Sequence, residues 1–125
     1  MHTLYTFGYT GRSPQELKEL ADSLGAAVVD TRYSPNSRDA RWRRSPLERV
    51  LGSLYQGAGE TLGNVNYKAG PIRLADEERG LAALGAQLAH QPIILLCMCR
   101  DAAVCHRTYI AQKAAEQFGV NVENL

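Results

Sequence analysis

The sequence predicts an α/β fold, a three-layer sandwich in which a mostly parallel, Rossmann-like sheet carries helices on both faces. Three observations lead there. Apolar or β-branched runs alternate with amphipathic stretches along the whole chain, as strand–helix–strand units require. The run "PIILLC" (92–97) contains no polar residue, as expected of a strand covered on both sides. The 125 residues show no internal repeat, low-complexity tract or linker, so the prediction is one domain, 1–125.

The elements follow in order. "HTLYTFGY" alternates and is rich in aromatic and β-branched residues, giving a first strand near 3–8, with Gly8 and Gly11 marking the turn behind it. "SPQE" then combines Ser13 as N-cap, Pro14 at the first helical position and Glu16 three residues after the cap, a complete capping box. Leu17, Leu20, Ala21 and Leu24 line one face of this helix, and Gly25 ends it in a left-handed turn. "AAVVDTRY" (26–33) reads as a buried second strand. "SPLE" repeats the capping logic at Ser45, Pro46 and Glu48 and predicts a short helix carrying Leu47, Val50, Leu51 and Leu54. The glycines and asparagines of 55–71 predict mostly loop with room for one short strand. A helix near 75–89 places Asp76, Glu77 and Glu78 at its positive end and Leu81, Leu84 and Leu88 inward. The last helix is expected over 102–118, capped by Asp101 and closed by Gly119, and "VNVENL" (120–125) adds an edge strand.

Composition bounds the function. No apolar run reaches eighteen residues, and the N-terminus lacks a charged region followed by a long apolar one; the expectation is a cytosolic, cytoplasmic protein with no membrane partner. The three cysteines all lie between Cys97 and Cys105, unlike a spread-out disulfide framework, and are read as reduced thiols. Net charge is +1, so the charge balance predicts no global attraction to nucleic acid. Locally, six arginines against two acids between Arg32 and Arg49 form a basic segment. Eleven of the 14 basic residues are arginine, the side chain whose planar fork matches phosphate and carboxylate.

In an open parallel sheet, ligands bind beyond the carboxyl ends of the strands. The predicted strands are followed there by three polar clusters: Tyr9, Thr10, Gly11 and Arg12; Asp30, Arg32, Ser34, Ser37 and Arg38; and Cys99, Arg100, Asp101, Cys105, His106 and Arg107. With Asp101 as cap, Cys105, His106 and Arg107 fall in the first turns of the last helix, where unpaired N–H groups and the macrodipole favour an anion or a thiolate. Cys97, at the end of an apolar strand, equally suits the role of a small buried hydrophobe. Asp30 also ends an apolar strand; it either pairs with an arginine or serves as a base. Cys97, Cys99, Cys105 and His106 lack the two-residue gap of paired zinc cysteines, and no metal is expected. The sequence leaves the cofactor unknown. Arg41, Arg43, Arg44 and Arg49, with Trp42, form the stretch that would track a nucleic-acid backbone.

"TFGYTGRS" (6–13), "VVDTRYSPNSR" (28–38), "LGNVNYKAGPI" (62–72) and "LLCMCRDAAVCHR" (95–107), in this order and spanning nearly the whole chain, resemble the successive motifs of the family catalogued as domain of unknown function 488. The resemblance implies a compact α/β fold with a parallel sheet and implies no reaction. The matching polar positions are Gly8, Tyr9, Gly11, Arg12, Asp30, Arg32, Ser37, Arg38, Cys97, Asp101, Cys105, His106 and Arg107, while Cys99 stands where the family pattern places an acid. Three functional readings follow. The leading one is a site for a phosphate-bearing small molecule or nucleic acid, in which Tyr9, Gly11, Ser37 and Asp101 line the ligand. There Arg12, Arg32, Arg38 and Arg107 grip the anion, His106 or Asp30 serves as acid or base, and Cys105 or Cys97 as nucleophile. The second is a thiol redox protein using Cys97, Cys99 and Cys105; the third is a nucleic-acid adaptor built on segment 32–49.

Overall fold

The structure, a computed structural model, describes residues 1–66, 70–98 and 105–125. Five parallel strands form one sheet in the order β3-β2-β4-β1-β5, with β1 at Leu4–Gly8, β2 at Ala27–Asp30, β3 at Tyr55–Gly57, β4 at Ile93–Cys97 and β5 at Val122–Asn124. Helices α1 (Pro14–Leu24) and α2 (Arg44–Leu51) cover one face; α3 (Gly59–Leu62), α4 (Glu77–Leu88) and α5 (His106–Phe118) cover the other. The expected three-layer sandwich is therefore the observed one.

Strand alternation splits the core in two. Val28, Ile94, Leu96 and Phe7 point toward α1 and α2, where they meet Leu17, Ala21, Leu47, Leu51 and Trp42. Leu4, Val29, Ile93 and Leu95 point the other way, onto Leu62, Leu81, Leu84, Leu88 and Ile110. Every residue of β4 is buried, since the strand has neighbours on both edges and helices on both faces. The connections from β1 and β2 travel outward with helices on one face, and those from β3 and β4 return with helices on the other. Right-handed crossovers demand that arrangement.

Local signals explain most boundaries, and the structure corrects the sequence reading at four places. Ser13 Oγ accepts the Glu16 N–H and Gly25 closes α1 at φ 63°, as expected. The Glu16 carboxylate, however, pairs with Arg12 instead of completing the capping box. Helix α2 starts at Arg44, ahead of Ser45, because Asp39 caps a short 3-10 turn at Ala40–Trp42 that runs straight into it; the register is set upstream by burying Trp42. Helix α5 starts at His106, for Cys105 is extended (φ −100°, ψ 143°) and occupies the N-cap. A continuous helix from 102 is thereby excluded, and the expected Asp101 cap lies outside the described residues. Segment 55–71, read as mostly loop with room for one short strand, holds that strand as β3 and, beyond the expectation, the single turn α3.

Glycines let α3 press on the segment after β2. A Cβ on Gly59 would overlap the Arg32 carbonyl oxygen, and one on Gly63 would meet Tyr33 Cα at 2.7 Å. Gly59→Ala should destabilise the protein by about 1–3 kcal/mol, the usual cost of forcing an atom against rigid backbone. Urea unfolding at constant m-value would measure it.

Candidate functional site

Beyond the carboxyl ends of β1, β2 and β4 lie two adjoining hollows. The smaller, of about 300 Å³, is lined by Tyr9, Arg32, Ser34, Asn36, Ser37 and Asn64 around Cys97 and His106, with Tyr33 and Met98 also in its wall. The larger, an open cleft of about 990 Å³, takes Gly11, Arg12, Arg38, Asp39 and Arg41. Tyr9, Asn36, Ser37 and Met98 belong to both, and the Tyr9 hydroxyl bonds Ser37 Oγ at 2.9 Å.

The small pocket has a chemical floor. Cys97 ends β4, and its Sγ lies 2.6 Å from Cys105 Sγ and 3.4 Å from His106 Nδ1. The separation of the sulfurs is well inside normal unbonded contact, and both cysteines are buried. The other ring nitrogen, His106 Nε2, sits 2.8 Å from the Thr31 carbonyl oxygen. A carbonyl can only accept, so Nε2 carries the hydrogen and Nδ1 turns its lone pair, or in the charged form its second N–H, toward Cys97. Thr31 is itself fixed, since its N–H and hydroxyl both donate to the Leu96 carbonyl at the end of β4. A thiol, an imidazole facing it and a third group orienting that imidazole constitute the arrangement of an activated cysteine.

The arginines are less available than their sequence positions suggest. Arg32 is buried and forked onto Asp30, with Nε and Nη2 donating to the two carboxylate oxygens at 2.8 and 2.7 Å, while Nη1 donates to the Trp42 carbonyl at 2.6 Å. Burial pulls the Arg32 pKa down, yet the hydrogen bonds and charge of Asp30 outweigh it and hold the guanidinium above its ordinary range. Asp30 also accepts from the Arg32 N–H and from the Tyr55 hydroxyl at 2.6 Å. The carboxylate proposed as a base is thus consumed as an anchor for Arg32. Arg12 lies over the Phe7 ring, paired with Glu16 and donating to the Leu125 carbonyl, and Arg41 is paired with Asp39. Arg38 is exposed in the cleft wall. Arg107 is buried in the first turn of α5 and is absent from the lining of both hollows.

The fold therefore brings Cys97, Cys105, His106, Arg32, Tyr9 and Ser37 together and sets Gly11, Arg12 and Arg38 in the neighbouring cleft. Asp101 and Cys99 lie outside the described residues. Trp42, grouped in the sequence with the arginines that would track a nucleic-acid backbone, is 1 % exposed and stacks on Tyr9, with ring centroids 4.6 Å apart. Much of the basic segment is answered locally, Arg32 by Asp30, Arg41 by Asp39 and Arg44 by Glu48. Sequence reasoning missed Asn36, Asn64 and the Thr31 carbonyl. Asn64 was detectable, because it lies in the 62–72 motif; a backbone carbonyl leaves no mark in a sequence. Each of the four segments that carry the family resemblance supplies at least one residue to the small pocket. Comparison with known proteins finds no matching family model, curated protein or solved structure.

The Asp30 network gives a pH signature. Burial, followed by the charge of Asp30 and the hydrogen bond to it, pushes the Tyr55 pKa up from its ordinary value. A raised folded-state pKa contributes stability that is present below about pH 10, where unfolded tyrosine stays neutral, and lost as pH rises toward the folded value. The stability advantage of the wild type over Tyr55→Phe should accordingly shrink between about pH 9 and pH 11. An advantage constant over that interval in denaturant unfolding would contradict this role of the phenol.

Proposed function

We propose that the small pocket is a dithiol exchange site that reduces a small, uncharged disulfide. The observation that carries the reading is the contact of Cys97 Sγ with both Cys105 Sγ and His106 Nδ1 on the floor of the pocket. Cys97 is the attacking thiol, since it lines the pocket and Cys105 does not. His106 takes the Cys97 proton, and the thiolate attacks one sulfur of R–S–S–R′, forming a Cys97 mixed disulfide and expelling R′S⁻, which leaves with the proton from His106. Cys105 then attacks the Cys97 sulfur, closing a Cys97–Cys105 disulfide and releasing RSH with its own proton. The pair gives up two electrons and the substrate becomes two thiols. Because Asp30 cancels the charge of Arg32, the described lining offers neutral hydrogen-bonding groups and suits a neutral substrate.

Incubating the reduced protein with hydroxyethyl disulfide should release two thiols per chain and leave a disulfide joining the peptides of Cys97 and Cys105. Cys105→Ser should stop at a mixed disulfide on Cys97, Cys97→Ser should form none, and Cys99→Ser should react like the wild type. Replacing His106 with alanine should slow the first step by on the order of 100-fold, the lower end of what a positioned base contributes. Oxidation joining other cysteines, or equal rates with and without His106, would refute the reading.

A phosphate-bearing ligand in the larger cleft is a second reading, and one observation favours it. Arg38 is the arginine of that cleft with no carboxylate partner among the described residues, so the cleft's three arginines exceed its two acids, Glu16 and Asp39. Inorganic phosphate or a nucleoside phosphate should then raise the unfolding temperature of the wild type and leave Arg38→Ala unmoved. A flat response of the wild type removes this reading.

A further inference from the structure

We infer that the reduced pocket floor is a binding site for one zinc-class metal ion, held by Cys97 Sγ, Cys105 Sγ and His106 Nδ1. The inference rests on the same cluster as the exchange reading, taken in its dithiol form, but requires no turnover. The three residues are the only group of three or more potential ligands brought together among the described residues, and their ligand atoms all lie within 4.8 Å of one another. Two thiolates and one imidazole form a soft donor set of the kind Zn²⁺ takes at sites with an open fourth position.

Three features of the surroundings fit a metal. Metal-bound imidazoles regularly donate their second N–H to a carbonyl or carboxylate, which fixes the ring and aims its lone pair; His106 Nε2 does this to Thr31. Both sulfurs are buried, and a divalent cation bound between them offsets the charge they acquire when the two thiols give up their protons. Cys97 and His106 face the 300 Å³ pocket, so the fourth coordination position opens toward Asn36, Asn64, Ser34 and Arg32. A zinc ion about 2.3 Å from each sulfur parts the two sulfurs beyond their present separation, a change that rotation of the side chains provides. The spacing along the chain gives no hint of this. The ligands come from the end of a strand and the start of a helix, and the usual knuckle pattern presumes a hairpin.

Metal and disulfide compete for the same two sulfurs, which sets the test. Full-length protein kept reduced and free of oxygen is titrated with Co²⁺. Thiolate-to-cobalt charge-transfer bands and tetrahedral d–d bands should saturate at one equivalent and collapse when Zn²⁺ is added. Cys97→Ser and Cys105→Ser should each lose charge-transfer intensity, and His106→Ala should weaken binding on the order of 10-fold or more. Should a variant fail to fold, the wild type alone still decides: Zn²⁺ must protect the peptides of both Cys97 and Cys105 from alkylation and must slow their joining by hydroxyethyl disulfide. Absence of charge-transfer bands, or protection of neither peptide, overturns the metal site. Disulfide formation without metal binding leaves the exchange reading standing, and metal binding without disulfide formation leaves the metal site standing alone.

Discussion

The position of β4 between β2 and β1 is the constraint on which the rest depends. From β4 the chain leaves to one face of the sheet, while from β1 and β2 it leaves to the other. The segments beyond these three carboxyl ends must therefore diverge, and a hollow opens above the middle strand. Cys97 is the last residue of that strand. A buried strand end places the thiol, and the helix on the far face brings Cys105 and His106 to it. The cluster of Cys97, Cys105 and His106 is thus a consequence of strand order before it is a consequence of residue choice.

The second organising feature is the ion pair of Asp30 and Arg32, both buried, with Tyr55 as a third member. Breaking such a pair by deleting one partner typically costs about 3–5 kcal/mol, because the other charge stays buried and uncompensated. The pair does more than stabilise. Arg32 also donates to the Trp42 carbonyl, so it ties the segment after β2 to the turn that leads into α2, and it presents a neutralised guanidinium to the pocket. A pocket wall that would otherwise carry a bare positive charge becomes polar and nearly neutral.

Much of this was legible in the sequence, and the failures have physical causes. "PIILLC" announced a central strand because nothing polar could stand on either face. Ser13-Pro14 and Gly25 marked both ends of α1 because their conformations are local. Ser45-Pro46 misled by two residues, since the turn at Ala40–Trp42 sets the helical register through a tertiary contact, the burial of Trp42. The start of the last helix was misjudged by four residues, since Cys105 takes the N-cap with its backbone extended, although no propensity recommends it. At the site, convergence of Tyr9, the Arg32–Ser37 stretch and the Cys97–His106 region followed from topology alone. What could not be read was who pairs with whom. Four arginines in a sequence suggest an anion clamp, whereas Arg32 and Arg12 in space are answered by carboxylates two and four residues away.

The two layers of the pocket differ in how firmly they are held. Cys97 and His106 stand on a strand and a helix, and the Thr31 carbonyl that orients the imidazole belongs to a residue hydrogen-bonded twice to Leu96. Ser34, Asn36 and Ser37 belong instead to the irregular stretch between β2 and the turn at Ala40–Trp42, where Ser37 is held by the Tyr9 hydroxyl, the Asp39 N–H and the Arg43 guanidinium, and where α3 presses on Arg32 and Tyr33 through Gly59 and Gly63. Groups on regular elements keep their geometry to within fractions of an ångström, whereas loop groups adapt. The geometry of the floor is therefore preorganised, while the shape of the walls rests on side chains that can adapt.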